Sequence, residues 1–236
     1  GVIDFSMLWG AAGEVTQMSA GDLHGNLWKL DFTESNTKSK YKPTSDWNID
    51  KLSFFKKGSP AQALPFYQTV RNKNPQPISV APTLIAGPML KGLETFYVAF
   101  GTGKYLENSD VTNTKQQSFY VLFDNGEATS DSDDKNRTAA ITGTSRLQAA
   151  AIDTSSLKIN VPKFIWGRPE KDADAVKIKS GWYFDFPVTA ERMIYSGINP
   201  GASYISFNSI IPGANQVNQA VCMADTASSN IYIVNI

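Results

Sequence analysis

The chain has 236 residues, 42% of them hydrophobic, and its Lys plus Arg (22) equal its Asp plus Glu (22). That is enough apolar material for one large all-β domain or two small ones and excludes a disordered chain, while zero formal charge gives no electrostatic reason to approach nucleic acid or an anionic membrane. No run nears the roughly 20 apolar residues of a membrane-spanning helix, and the first residues lack the basic-then-apolar order of a signal peptide, so an exported protein would carry its signal upstream.

Taken in chain order, the segments rich in aromatic and β-branched residues are Gln17–Asp22, Gly25–Phe32, Ile78–Ile85, Thr95–Gly101, Ser118–Asp124, Gly181–Pro187, Arg192–Gly197, Ser203–Ile211 and Asn230–Ile236. Each is bounded by Gly, Pro, Asn, Asp or Ser and has the length of a strand, and helical periodicity is nearly absent. In Thr95–Gly101 the residues Phe96, Val98 and Phe100 alternate with Tyr97 and Ala99, so both faces are apolar. A strand buried on both sides of an antiparallel sheet fits sheets stacked on sheets, as in a sandwich or a propeller blade.

A loose repeat favours the propeller. A first, incomplete copy holds Gln17–Asp22 and Gly25–Phe32 around the turn Leu23–His24. The second runs through Ile78–Ile85, Thr95–Gly101 and Ser118–Asp124, and the third through Arg192–Gly197, Ser203–Ile211 and Asn230–Ile236. Since propellers close with about four to eight blades, three copies predict an incomplete segment of the ring, with residues 1–236 as part of one β-propeller domain. The polar stretches 33–50, 127–138 and 169–180 read as rim loops.

Several motifs invite chemistry that their surroundings do not support. Gly101–Lys104 (GTGK) lacks the P-loop's first glycine and its Ser or Thr, with Val98 and Tyr105 in those places, and reads as a β-turn closing a strand. The run Asp131–Ser132–Asp133–Asp134 resembles the start of a calcium loop without its glycine or terminal glutamate, and Lys135 and Arg137 would oppose a cation. His24, the only histidine, is read as a surface turn residue. Cys222, the only cysteine, excludes an internal disulfide and a thiolate metal site and is read as a buried thiol, with a partner outside the segment left open. Asp172 and Asp174 give no sign of sharing a cleft, and Trp28 and Trp182 lie in apolar strands where burial is expected over sugar stacking. Hence no catalytic, cofactor-binding or metal residue is assigned, and the ligand-binding residues are unknown.

Five stretches, in order, resemble the PilY/PilC family of type IV pilus tip proteins. Ser19–Phe32 (SAGDLHGNLWKLDF) is similar to that family's AGDLxGNLW(K/R)xD segment, and Gln76–Pro82 with Tyr97–Asn108 to its QPI-x-x-x-P and YFGTGKYLE stretches. Gln117–Asp124 is similar to its Q-x-FYG-x-x-D strand, and Ser180–Ile194 to its KGWYLDLP...GERV segment. The resemblance implies a modified quinoprotein-like propeller at the C-terminal end of a large exported protein at the cell surface. It further implies a role without catalysis in pilus biogenesis, twitching motility and surface attachment, with minor pilins of the tip complex as partners. Many members carry a calcium loop, DxDxDxxxD, before the AGDL segment; the corresponding Leu8, Gly10, Ala12 and Thr16 are not carboxylates, so calcium is not carried over, and no Arg-Gly-Asp motif is present. Two other readings share the propeller: a pyrroloquinoline-quinone dehydrogenase, which the GNLWKLD strand also resembles, and a lectin-like binding propeller.

Overall fold

The computed structural model describes residues 1–34, 37–90, 92–126, 142–167, 176–201, 203–213 and 227–236, the side chains of 37–39 excepted. The strands that carry the architecture are β1 (Val2–Trp9), β2 (Val15–Asp22), β3 (Asn26–Asp31), β4 (Tyr67–Gln68), β5 (Thr83–Ala86), β6 (Phe96–Gly101), β7 (Ser118–Asp124), β8 (Gly181–Asp185), β9 (Ile198–Gly201), β10 (Tyr204–Asn208) and β11 (Ile231–Asn235). They form three sheets, ordered β1-β2-β3-β4, β5-β6-β7-β8 and β9-β10-β11, with every pair among them antiparallel; Gln148–Ala149 adds a parallel strand beyond β8.

The strands expected at 25–32, 95–101, 118–124, 181–187, 203–211 and 230–236 are present. The first repeat, however, is complete: β1 and β4 flank the two expected strands. β1 escapes sequence reading because adjacent apolar residues at Val2–Ile3 and Met7–Trp9 break the period-two alternation. The second repeat takes its fourth strand, β8, from beyond an excursion over residues 125–180. β5 begins at Thr83 instead of Ile78, since 78–82 is the link into the sheet and ends in Pro82. Arg192–Gly197 is no strand: it makes only the isolated bridge Arg192↔Ile210, because the Arg192 side chain turns inward, and the strand starts at Ile198.

The first strand of each of the first two sheets bonds to the residues that lead into the first strand of the next sheet. Ser6 Oγ donates to the Pro82 carbonyl (2.5 Å), the Ala81 amide donates to Asp4 Oδ2 (3.1 Å), and Thr83 Oγ1 donates to the Gly197 carbonyl (3.0 Å). Each sheet stacks on the next through ring contacts, Tyr67 on Tyr120 and Phe119 on Phe207, which is the arrangement of propeller blades and not of a two-sheet sandwich. No sheet closes on itself among the described residues.

All seven residues of β7 are buried, and its two faces serve different neighbours. On one face Phe119 stacks on Phe207 of the third sheet at 4.3 Å between ring centroids, while Phe184 meets Tyr232 at 5.6 Å. On the other, Tyr120 stacks on Phe100 and Tyr183 and lies 5.9 Å from Tyr67 of the first sheet. Trp182 is buried as expected, and Trp28 is half-buried against a small satellite core of Leu30, Phe32 and Leu52.

Alternating strand direction sorts the connections to two ends of the stack. The turns between second and third strands and the links from one sheet to the next share one end. The turns between first and second strands and the excursions between third and fourth share the other. On the second end, Tyr41 of the first excursion bonds Glu14 of the β1–β2 turn, and a Cβ on Gly126 would meet the Glu94 carbonyl at 2.3 Å. The first excursion, 32–66, holds the hairpin Thr33–Glu34/Thr37–Tyr41, a 3-10 turn at Thr44–Asp46, the one-turn helix α1 (Ile49–Leu52) and the hairpin Phe55–Lys57/Gln62–Leu64.

Between the first and second sheets lies a buried ion pair, with Lys29 Nζ 2.7 Å from Asp124 Oδ2 and 4.0 Å above the Phe54 ring; the two side chains are 4% and 7% exposed. An ion pair with one partner removed leaves an uncompensated buried charge. Lys29→Met should therefore lower unfolding free energy by about 3–5 kcal/mol, and adding Asp124→Leu should recover most of that loss. Urea denaturation of the two single variants and the double variant checks this, a fully additive double variant being the contrary result.

Candidate functional site

The end that carries the sheet-to-sheet links also gathers the sequence motifs. It begins at Asp22, where β2 ends. Its Oδ1 accepts from the His24 and Asn26 amides (both 2.9 Å), and its Oδ2 accepts from Asn26 Nδ2 (2.9 Å) and Trp28 Nε1 (3.0 Å). A carboxylate folded back on the next residues of its own chain fixes the turn from β2 to β3. Gly25 completes it with φ +78°, and a Cβ there would lie 2.7 Å from the Gln76 carbonyl. His24 is exposed in this turn.

Onto the turn docks the link Gln76–Pro77–Ile78. The Ile78 amide donates to the Asp22 carbonyl (2.9 Å), and Ile78 Cγ2 sits 2.3 Å from where a Cβ on Gly21 would be. Gln76 is 1% exposed and all its polar atoms are used: Nε2 donates to the Gln116 carbonyl and Ser118 Oγ (both 2.8 Å), and Oε1 accepts from the Tyr120 hydroxyl (2.5 Å). Ser118 Oγ passes on to Asp185 Oδ1 (2.7 Å), whose carboxylate is clasped by Arg71 through Nε and Nη2. Burial, above all, pushes the Tyr120 phenol well above its ordinary value, so it remains a donor.

The same link meets Gly103. Its amide donates to the Pro77 carbonyl (2.8 Å) and its carbonyl accepts from Ser79 Oγ (2.7 Å). GTGK is therefore an extended crossing between two links, not the expected β-turn. Gly103 has φ +127°, and a Cβ there would be 2.3 Å from Arg192 Cβ; one on Gly101 would be 2.5 Å from Met193 Cβ. The glycines are needed because the 192–193 backbone approaches closely, a reason that local turn grammar does not contain.

Arg192, 2% exposed, donates to four backbone carbonyls: Ala190 from Nε (2.9 Å), Lys104 and Asp110 from Nη1 (2.9 and 2.8 Å) and Asn113 from Nη2 (2.6 Å). It holds the loop between β6 and β7, which contains the one-turn helix α2 (Asn108–Val111), to the link entering the third sheet. Beside it, the 1%-exposed Glu191 accepts at Oε1 from Ser209 Oγ (2.5 Å), Asn230 Nδ2 (3.0 Å) and the Tyr232 hydroxyl (2.7 Å). The two neighbouring residues thus tie opposite sides of one joint. Lys104 pairs with Glu107 and Asp110 at 3.1 Å each, and the Glu107–Asp110 capping box starts α2.

This seam binds the sheets to one another, and its central polar side chains are occupied by protein partners. Among the described residues, no group of three or more His, Cys, Asp or Glu could hold a metal ion. Leu8, Gly10, Ala12 and Thr16 lie in and beside the β1–β2 turn. That turn is closed by the Gly10 amide on the Glu14 carbonyl (2.7 Å) and by Thr16 Oγ1 on the Leu8 carbonyl (3.1 Å). Its one carboxylate, Glu14, accepts from the Tyr41 hydroxyl at Oε1, while Oε2 has no hydrogen-bond partner. Asp131–Asp134, Asp172, Asp174 and Cys222 lie outside the described residues. Arg71, Glu191 and Asp185 were not singled out by sequence reading, because their partners lie far away in the chain.

The profile of the PilY1 beta-propeller domain matches residues 10–158, well over half of the chain. The chain belongs to the PilY1 beta-propeller family. Among similar PilY1-family proteins, a type IV pilus biogenesis factor of Pseudomonas aeruginosa is 31% identical over 179 residues, covering 72% of this chain and 15% of the relative. A homologue of that factor in Xylella fastidiosa is 27% identical over 199 residues, covering 82% of this chain and 13% of its own. The chain thus spans about 15% of the length of the curated relatives that it matches. The crystal structure of the Pseudomonas aeruginosa PilY1 C-terminal domain superposes with a TM-score of 0.62 at 23% identity, over 98% of this chain and 46% of that one, and shares its fold.

The PilY1-family loop after GTGK carries a pH signature. Burial pushes the Asp110 carboxyl up, but the Leu106 and Glu107 amides and the Lys104 ammonium outweigh it and hold the group below the ordinary carboxylate value. A carboxyl depressed on folding stabilises above its unfolded pKa, and that contribution is lost as pH falls through the folded value. Amide exchange over 104–113, corrected for intrinsic rates, should accelerate as pH drops below about 4, and Asp110→Asn should remove this pH dependence. Identical profiles for both proteins would contradict the assignment.

Proposed function

We propose that this chain is a structural segment of a type IV pilus biogenesis factor, exported to the cell surface. There it supports pilus assembly, twitching motility and surface attachment as part of the tip complex with minor pilins. The observation that carries the reading is that the stretches resembling the family, in order along the chain, all contribute to one seam between sheets. The Asp22 carbonyl takes the Ile78 amide, Gln76 bonds Ser118 and Tyr120, the Gly103 amide donates to the Pro77 carbonyl and Arg192 donates to the Lys104 carbonyl. Residues invested in joining blades suit a scaffold whose contacts lie on its loops.

A clean in-frame deletion of the coding segment for residues 1–236, in the source organism, should abolish or strongly reduce surface pili and twitching. Complementation with the wild-type gene should restore both. Normal piliation and attachment in the deletion strain would overturn the proposal.

A further inference from the structure

The first excursion, 32–66, lies at the end of the stack away from the seam and departs from the chain's overall neutrality. Residues 33–64 hold six lysines (Lys38, Lys40, Lys42, Lys51, Lys56 and Lys57) against Glu34, Asp46 and Asp50, and no arginine. Lys42 Nζ donates to the Asp31 carbonyl (2.6 Å) and Lys56 Nζ to the Lys51 carbonyl (2.8 Å). Among the described residues, none of Lys40, Lys42, Lys51, Lys56 and Lys57 is in an ion pair. Asp31 Oδ1 accepts from the Thr33 amide and hydroxyl, and Asp50 Oδ1 from the Ala63 amide. Burial, and after it the Lys42 and Lys51 charges, hold the Lys56 ammonium below the ordinary lysine value, an effect that Asp31 and Asp50 offset only in part. Three ammonium groups thus share one neighbourhood whose charge the fold does not fully cancel.

Trp47 stands beside them, 56% exposed. Its ring meets Phe32 edge to face at 5.3 Å between centroids, and its indole N–H donates to the Lys42 carbonyl (3.2 Å). The ring is therefore fixed, its one donor is spent, and it offers a ligand only a π surface. A tryptophan at a membrane interface keeps its N–H for the wet side, and phosphate recognition favours the arginine fork. Neither a phospholipid headgroup nor a nucleic acid matches those two features. A pyranose bearing a carboxylate does: its C–H face stacks on the ring, and its acid group meets lysine.

We propose that the Trp47, Lys42, Lys51 and Lys56 surface of the first excursion binds an acidic polysaccharide of the polyuronate class. Trp47 stacks on one sugar while the ammonium groups meet the carboxylates of that sugar and its neighbours. The inference deepens the surface-attachment reading above and rests on it, because it names the class of ligand that the attachment engages.

The test measures binding of the full-length protein to immobilised polygalacturonate, with neutral dextran alongside, by biolayer interferometry. Trp47→Ala should weaken polygalacturonate binding at least about tenfold. Lys51→Gln should weaken it about threefold and make it less sensitive to added salt. The Lys51 side chain is exposed, so this variant carries the test should Trp47→Ala misfold, which the melting temperature of each variant reports. Absence of polygalacturonate binding, equal binding to dextran, or unchanged affinity in both variants overturns the proposal. So does tighter binding to an oligothymidylate single strand or to vesicles of equal parts phosphatidylcholine and phosphatidylglycerol, since the surface would then read phosphate. None of these readouts involves piliation, so their failure is distinct from failure of the functional reading.

Discussion

The structure depends on β7 being buried along its whole length. A strand with no solvent face must satisfy its backbone through both flanking strands and its side chains through both flanking sheets. Phe119 and Tyr120, adjacent in sequence, therefore belong to two different interfaces. The interface with the third sheet is an aromatic stack. The one with the first sheet mixes rings with the Lys29–Asp124 pair and the Gln76 network. The difference follows from where the links run: the 69–79 segment brings polar groups beneath Tyr120, and they are buried only because each finds a partner.

The seam shows how motifs with the look of binding loops can be structural throughout. GTGK is shaped by close approach, with Pro77 on one side and Arg192 on the other. Arg192 is buried with no carboxylate in direct contact among the described residues, and its charge is met by four carbonyl dipoles. Such a guanidinium is costly to bury and hard to replace, because lysine cannot donate in four directions from a planar fork. The family-like stretches thus mark the joints between the sheets.

Much of the fold was legible in the sequence. The central strands announced themselves because two-sided burial leaves an uninterrupted apolar run, and FYVLF at 119–123 is the clearest. β1 and the link around Arg192 were not legible. An edge strand half in solvent need not keep its alternation, and a strand-like composition at 192–197 is overridden when one side chain is drawn into the neighbouring loop. The candidate site was legible only as fragments: the sequence showed Asp22, Gln76, Gly103 and Arg192 as members of separate stretches, without showing that they touch.

By itself the sequence determined the central strands, the three-fold repetition and the family, because these follow from local alternation, turn residues and ordered motifs. Tertiary structure alone decided how the repeats stack sheet on sheet, that GTGK is a crossing and not a turn, and that Glu191 and Arg192 brace opposite sides of one joint. Those outcomes depend on groups far apart in the chain, such as Gln76 and Tyr120 or Arg192 and Lys104, meeting in space. No local pattern encodes the close approach or the hydrogen-bond partner that makes each residue type necessary.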